Sequence, residues 1–231
     1  MTDALRPLVE RLSYTDTEYT FFTALSGPKS INNEDDAAES ANHCLPVLRD
    51  MLGSHDGFLV ACYSQHPLVP MLKEEEIIKK SKKHVTGILE ASVGFSLLAI
   101  APNEAFGIVS TGKIWEELLP KAVGAFLNAG ERGHGLERFG GVETTGLDAV
   151  ELHDASPEEV KAKMTQATKR LIGARSIGAI CLGCAGMAGL DKIVREACIE
   201  ELGIERGSKV AIVDGVQAGI GFLEAALRAE L

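Results

Sequence analysis

The chain has 231 residues, of which 45% are hydrophobic, enough to build one large or two small domains around a real core. Its 23 basic and 33 acidic residues give a formal net charge of −10, which repels nucleic-acid phosphates and anionic lipid surfaces, so neither nucleic acid nor a membrane is an expected partner. The five cysteines are an odd number without the spacing of a disulfide framework, and no apolar segment reaches the length of a membrane span. With no secretory apolar region at the start, these features predict a reducing, cytoplasmic setting.

The first part of the chain predicts a mixture of helices and strands. It opens on a helical pattern, in which Thr2 and Asp3 resemble caps before an apolar stripe that ends near Leu12. The following predicted elements are an aromatic strand from Tyr19 to Leu25, a helix from about Glu34 to Met51, a strand from Gly57 to Cys62, a charge-rich solvated helix from Lys73 to Lys83, a short strand or turn at Val85-Thr86-Gly87 and a helix from Glu90 to Ile100.

Strands and helices alternate regularly after a domain boundary that we place near Ala101 to Glu104. The predicted strands are Phe106–Ser110, Phe139–Glu143, Ile177–Leu182 and Lys209–Val213. The predicted helices are Trp115–Ala129, Pro157–Ile172, Leu190–Leu202 and Val216–Leu231. This alternation predicts βα units and a mainly parallel sheet. We therefore expect an N-terminal α/β half at residues 1–102, a C-terminal α/β half at 103–215, and a C-terminal helix at 216–231 that could pack back on the N-terminal half.

Two cysteines stand at the ends of predicted strands. Cys184 follows the strand Ile177–Leu182 at a glycine turn, where free backbone N–H groups and a helix dipole favour the thiolate. Cys62 ends a strand about half a chain earlier, so two similar halves would place both thiols across one cleft at the carboxyl ends of their strands. A cysteine alone is more often a core residue, and we expect Cys181, on the opposite face of the strand from Cys184, to point into packing.

Other patterns near these cysteines are weaker. Cys181-x-x-Cys184 could be half of a zinc site or a redox pair, but there is no second such pair and a strand setting separates the two sulfurs. The glycines around Cys184 do not form a G-x-G-x-x-G dinucleotide fingerprint, so nicotinamide chemistry is not expected. His66 either helps to deprotonate the Cys62 thiol or caps the loop that follows it.

Five segments spread over nearly the whole chain carry a family resemblance. They are Ala61-Cys62-Tyr63-Ser64-x-His66-Pro67-Leu68, Leu182-Gly183-Cys184-Ala185-Gly186-Met187, Gly27-Pro28-x-Ser30-Ile31, Val85-Thr86-Gly87-Ile88 and Val142-Glu143-Thr144-Thr145-Gly146. Together they resemble the hydantoin/allantoin racemase branch of the aspartate/glutamate racemase superfamily, and most of all its fungal, DCG1-like members. The resemblance implies an α/β fold of two pseudo-symmetric Rossmann-like subdomains, with mainly parallel sheets and an active site in the cleft between them.

For function, the resemblance implies a cofactor-independent racemase that acts on a hydantoin-type or ureide substrate, either allantoin or a 5-substituted hydantoin. Racemisation removes a proton from one face of a carbon and delivers another to the opposite face, and Cys62 and Cys184 suit this two-base chemistry, one as thiolate and the other as thiol. The expected substrate-binding residues are Ser30, Tyr63, Ser64, Thr86, Ser110, Thr111, Gly183 and Ala185. No metal or organic cofactor is required, and the expected partner is a small-molecule substrate, with a homo-oligomer left open.

Two other interpretations stay open. Members of the family usually begin with a strand that ends in an Asn-Pro-Asn-Ser/Thr turn, and no such strand precedes Met1-Thr2-Asp3, so we expect the first half to lack a central strand. The chain could then be a truncated or non-catalytic relative that binds a small ureide or amino acid. It could also be an Asp/Glu-type racemase, an isomerase or a decarboxylase of the same superfamily, although two cysteines favour a racemase or isomerase over a single-cysteine decarboxylase.

Overall fold

The computed structural model describes residues 2–129 and 136–231 and contains two parallel β-sheets with flanking helices. After a 3-10 turn at Thr2–Leu5, the first half contains helices α1 (Arg6–Glu10) and α2 (Glu34–Arg49), strand β1 (Gly57–Val60), helices α3 (Leu68–Glu74) and α4 (Glu76–Lys80), strand β2 (His84–Gly87) and helix α5 (Ile88–Ala99). Strand β1 pairs in parallel with β2, and within the described residues no strand pairs with its other edge.

The second half carries a four-stranded parallel sheet in the order β4-β3-β5-β6. Its elements are β3 (Ala105–Ser110), α6 (Trp115–Phe126), β4 (Phe139–Thr144), α7 (Ala149–Asp154), α8 (Pro157–Ala174), β5 (Ile177–Leu182), α9 (Asp191–Gly207), β6 (Ala211–Asp214) and α10 (Gly215–Arg228). The predicted α/β fold with mainly parallel sheets is confirmed, and each predicted strand of this half is present within two residues of its expected start.

The strands β3 and β5 are buried along their whole lengths because helices cover both faces of their sheet. Phe106 and Ile108 point to one face, where they join a core formed with α5, α6 and α10. Val109 and Ile180 point to the other face, where they pack with α8 and α9. This double covering explains why these strands read as continuous apolar runs rather than as alternating patterns. Among residues 2–129 and 136–231, no helix combines the length and the apolar character that crossing a bilayer requires.

The expectation of a strand from Tyr19 to Leu25 is wrong, because this stretch is irregular. Its aromatic side chains pack on helices instead of pairing with a strand. The Tyr19 hydroxyl donates to a Glu224 carboxylate oxygen of α10 at 2.9 Å, and the Arg6 guanidinium of α1 lies 4.3 Å from the centroid of the Phe21 ring. Aromatic residues favour any half-buried surface, so their presence alone does not distinguish a strand from a packed irregular segment.

Two helices, α3 and α7, were not predicted from the sequence. The charge-rich stretch from Lys73 to Lys83, predicted as one helix, instead contains the end of α3 and the short α4. Helix α7 was not expected either, although its start carries a capping box. The Asp148 carboxylate accepts from the N–H groups of Val150 and Glu151 at 2.8 and 2.7 Å, and the Glu151 carboxylate accepts from the N–H of Asp148 at 2.9 Å.

Helix α10 belongs by sequence to the end of the chain but contacts both sheets. It packs on β1, β2, β6 and α5. Gly219 lies directly against the Leu59 side chain, and Leu223 lies against Gly57, so small residues on either side allow the close approach of helix and strand. We propose on this packing that α10 serves as a part of the N-terminal half.

The close contact at the start of α10 gives a stability prediction with a matched control on the same helix. A methyl group on Gly215 would lie 2.9 Å from the carbonyl oxygen and 3.0 Å from the Cβ of Ile88, and neither can move without shifting α5. Gly215→Ala should therefore lower the free energy of unfolding by about 1–3 kcal/mol. Gly221 has no atom within 4 Å of an added methyl, so Gly221→Ala should raise it by about 0.5–1 kcal/mol.

Urea unfolding, followed through the fluorescence of the single buried tryptophan, Trp115, measures both variants. A Gly215→Ala protein as stable as the parent would show that the contact between the first turns of α5 and α10 is not tight.

Candidate active site

Residues of both halves line a cavity of about 1070 Å³. The cavity runs along β1 and the two residues that follow it, from Gly57 to Cys62. The irregular segment 16–24 lines it as well. The turn after β5 contributes Gly183, Cys184 and Ala185 to the same wall. The two cysteines that the sequence singles out therefore lie on one cavity, although they come from different sheets.

Cys184 lies at the start of a 3-10 turn, Ala185–Met187, that directly follows β5. Its Sγ accepts a hydrogen bond from the backbone N–H of Gly186 at 3.3 Å. Burial raises the pKa of the Cys184 thiol, while the N–H groups of Gly186 and Met187 act in the opposite direction. The turn therefore supplies the thiolate with donors that partly offset the loss of water.

Gly183 fixes the place of Cys184 against the neighbouring strand. Its N–H donates to the Val109 carbonyl at 2.7 Å, and its own carbonyl accepts from the Ser110 hydroxyl at 2.8 Å. A side chain at this position would lie 2.7 Å from Ile108 Cγ2 and 2.9 Å from the Val109 carbonyl oxygen. Only glycine lets the chain leave β5 so close to β3, so the approach of the backbone sets where the Cys184 sulfur points.

Cys62 lies two residues after the end of β1. Its Sγ is 3.3 Å from the Ser64 hydroxyl oxygen. Burial raises the pKa of the Cys62 thiol to about 12, the Ser64 hydrogen bond opposes this, and negative charge on Cys184 and Glu90 adds to the rise. A negative charge on Cys184 therefore disfavours ionisation of Cys62.

Two other predicted residues follow Cys62 in its loop. Tyr63 lines the cavity but is almost fully buried, and its hydroxyl lies 2.8 Å from the Ser92 hydroxyl of α5. His66 is also buried, and its Nδ1 accepts the N–H of Leu68 at 3.2 Å, so the ring caps the first turn of α3. Burial lowers the pKa of His66 to about 4, which keeps the ring neutral near pH 7.

The remaining predicted binding residues fall into two groups. Ser30 and Thr111 line the cavity together with Gly183 and Ala185. The other three lie outside its wall: Ser64 borders a separate cavity of about 230 Å³, the buried Thr86 hydroxyl donates to the Gly87 carbonyl at 3.3 Å, and the buried Ser110 hydroxyl donates to Gly183.

Glu90, whose negative charge raises the pKa of Cys62, has no role predicted from the sequence. It lies in the first turn of α5, and its Oε2 is buried without a hydrogen-bond partner among the described residues. Burial raises its pKa, against the effects of backbone N–H groups and Lys73. An acidic residue in the first turn of a helix is common, so the only available signal was its position directly after β2.

Within the described part of the chain, no three His, Cys, Asp or Glu side chains are grouped to bind a metal ion. Cys181 is fully buried, with its Sγ 3.1 Å from the Ser96 hydroxyl, while the Cys184 sulfur bonds the turn after β5. The two sulfurs of the Cys-x-x-Cys sequence thus have separate partners.

Comparison with known proteins identifies relatives along the whole chain. A Schizosaccharomyces pombe protein described as uncharacterized protein C1F7.10 is 30% identical over 232 residues, which cover 100% of this chain and 88% of that protein. Protein DCG1 of Saccharomyces cerevisiae is 29% identical over 199 residues, which cover 82% of this chain and 79% of that protein. The hydantoin racemase of Pseudomonas sp. strain NS671 is 26% identical and covers 97% of this chain and 80% of its own length.

The fold is similar to that of a solved allantoin racemase from Pseudomonas fluorescens, with a TM-score of 0.77 at 21% identity, over 100% of this chain and 86% of that one. The expected relationship to DCG1-like proteins and to the racemase superfamily is confirmed. Because the Asp/Glu/Hydantoin racemase family model matches residues 1–223, the chain belongs to the Asp/Glu/Hydantoin racemase family.

Proposed function

We propose that the protein is a cofactor-independent racemase of hydantoin-type or ureide substrates, in which Cys62 and Cys184 exchange protons on opposite faces of one carbon. The observation that carries the proposal is that two thiols, one after a strand of each sheet, line one cavity; in addition, negative charge on Cys184 raises the pKa of Cys62. A racemase needs two such acid/base groups, one protonated and one not.

The surroundings of the two sulfurs assign their resting states. Cys184 has backbone N–H donors from Gly186 and Met187, and we propose that it is the thiolate. Cys62 is partly buried, and among the described residues its sulfur has the Ser64 hydroxyl as its one hydrogen-bond partner. Negative charge on Glu90 further raises the pKa of Cys62, so we propose that this thiol keeps its proton. The site then holds one negative charge on sulfur, which is the arrangement that burial favours.

The proton cycle conserves this charge. The Cys184 thiolate removes the proton from one face of the substrate carbon and becomes a thiol, and the electron pair passes to the adjoining carbonyl as an enolate. The Cys62 thiol then delivers its proton to the opposite face, the carbonyl re-forms, and Cys62 is left as the thiolate. The other enantiomer is converted by the same steps in reverse order.

The enolate oxygen needs hydrogen-bond donors at the cavity wall. We propose the Thr111 hydroxyl and the N–H of Ala185 for this role, because both residues line the cavity next to the Cys184 turn. Ser30 is proposed to contact the distal part of the ring. The Gly183 N–H cannot contribute, since it already donates to Val109.

A small cyclic ureide is the proposed substrate, which places the reaction in nitrogen metabolism. Hydantoin and allantoin share the ring carbonyl that stabilises the carbanion, and the named activities of two similar proteins, a hydantoin racemase and an allantoin racemase, support this class. All five cysteines are free thiols, which supports a reducing, cytoplasmic setting.

The two thiols should be separable by isotope exchange. Cys62→Ser and Cys184→Ser should each lower the racemisation rate at least ~100-fold, because a serine hydroxyl is too weak an acid for the transfer. The remaining thiolate can still remove and return a proton on its own face. Each variant should therefore exchange deuterium into only one enantiomer of an alkyl-substituted hydantoin, and the two variants should act on opposite enantiomers.

Proton NMR in heavy water, combined with chiral chromatography, measures exchange and inversion separately, after subtraction of the spontaneous reaction without protein. Cys198→Ser is the control, since this buried thiol lies between α8 and α9 away from the cavity, and it should retain racemisation. Exchange of the same enantiomer by both active-site variants would contradict the assignment of one thiol to each face.

The resting protonation states predict an order of alkylation. Burial raises the pKa of both thiols, but backbone N–H groups oppose the rise at Cys184, whereas negative charge on Glu90 adds to it at Cys62. Iodoacetamide should therefore modify Cys184 at lower pH than Cys62. Glu90→Gln removes a negative charge near Cys62 and should lower the pKa of that thiol, which speeds its alkylation at fixed pH. Peptide mass spectrometry after short exposures at a series of pH values measures the two rates.

Glu74→Gln is the matched control, because Glu74 is an exposed carboxylate paired with Lys79 on the surface. It should leave both alkylation rates unchanged. Faster modification of Cys62 than of Cys184 in the parent protein would reverse the proposed resting states.

A further inference from the structure

The residue that follows Cys62 begins a buried chain of hydrogen bonds that reaches the strand of Cys184. The Tyr63 hydroxyl lies 2.8 Å from Ser92 Oγ, and Ser92 Oγ donates to the Leu89 carbonyl at 3.0 Å. Because serine has a single hydroxyl proton, Tyr63 is the donor to Ser92. Tyr63 is 4% exposed and Ser92 is fully buried, so neither group has water as an alternative partner.

The same helix holds β5 one turn further along. Ser96 Oγ lies 3.1 Å from Cys181 Sγ, and the Cys181 thiol also donates to the Ser92 carbonyl at 3.8 Å. Cys181 and Ser96 are fully buried. Helix α5 thus presents two hydroxyls one turn apart, of which the first bonds the Cys62 loop and the second bonds the strand that leads to Cys184.

We infer that the hydrogen-bonded chain Tyr63–Ser92–Cys181–Ser96 positions the Cys62 thiol relative to the Cys184 thiol. It does so by bonding both the Cys62 loop and the strand β5 to α5. Aliphatic side chains would fill the same space, but they would not fix how the Cys62 loop and β5 are oriented on α5. A buried hydroxyl does so because its hydrogen bond forms in only one arrangement. In this assignment Tyr63 and Cys181 are positioning residues, and the Tyr63 hydroxyl does not contact the substrate.

The inference rests on the proposed two-thiol reaction for its effect on rate. Proton transfer to and from one carbon requires both sulfurs within reach of it, and a displacement of about 1 Å can cost ~100-fold in rate. If the two thiols are no longer held in place, delivery of a proton to the opposite face of the carbon should fail before removal of the proton from the first face does. The proton would then return to the face that it left, and exchange without inversion would increase.

The first test compares Tyr63→Phe with the parent protein. We expect kcat for racemisation to fall about 10–100-fold with KM unchanged, and the ratio of deuterium exchange to inversion to rise. A raised KM at unchanged ratio would instead mean that the Tyr63 hydroxyl contacts the substrate. Equal losses of exchange and inversion would mean a purely structural role, and either result overturns the inference.

A set of cysteine variants keeps the test valid if Tyr63→Phe does not fold. Cys181→Ala removes the sulfur from the chain and should raise the ratio, while Cys181→Ser keeps a hydrogen-bonding group and should restore it. Cys198→Ala removes an equally buried thiol that packs between α8 and α9, and it should behave as the parent protein. Identical behaviour of Cys181→Ala and Cys198→Ala would overturn the inference.

A chemical measurement separates this inference from the proposed function. Dibromobimane links two thiols only when they are close, and peptide mass spectrometry detects the product that joins Cys62 to Cys184. The yield should fall several-fold in Tyr63→Phe and Cys181→Ala and stay unchanged in Cys181→Ser and Cys198→Ala. If the protein shows these yields but no racemase activity, the positioning role stands and only the proposed reaction is rejected. Unchanged yields in all four variants would reject the positioning role.

Discussion

A buried thiol resists losing its proton, and this protein places two partly buried thiols on one cavity. In the proposed reaction the pair holds one thiolate and one thiol, because burial and the first negative charge both disfavour a second one. The surroundings of the two sulfurs differ accordingly. Backbone N–H groups are available on the Cys184 side, where the chain turns tightly after β5, and negative charge lies on the Cys62 side, where Glu90 lies in the first turn of α5.

Helix α5 is the element on which both halves of the site depend. It contacts β2 of the first sheet and β3, β5 and β6 of the second. Its sequence has only one charged residue, Glu90, and its inner face carries Ser92 and Ser96 among aliphatic side chains. Most of α5 is apolar, in keeping with its contacts to both sheets, and both of its serines have hydrogen-bond partners inside the protein. The two serines are therefore the positions at which α5 is hydrogen-bonded to the Cys62 loop and to β5.

The second sheet could be predicted from sequence because its strands alternate with helices and its central strands β3 and β5 are mainly apolar runs, and β5 was predicted with its observed bounds. The sequence also predicted that Cys62 and Cys184 share one cavity, because each follows a strand in one of two similar halves that face each other. Tyr19 to Leu25 was mistaken for a strand because aromatic composition reports burial and not pairing. Glu90 and the partners of Cys181 were missed because they depend on contacts between residues far apart in sequence, which local patterns do not record.

Helix α10 has a consequence for how the chain folds during synthesis. Residues 57–87 of the first sheet leave the ribosome well before residues 215–228, which cover that sheet in the folded protein. At typical elongation rates the interval is on the order of ten seconds, long compared with the formation of secondary structure. During this interval Leu59 and the rest of the face that meets α10 have no cover from that helix. The first half of the nascent chain thus remains incomplete while the second half is being made, and its final packing has to wait until α10 has been synthesised.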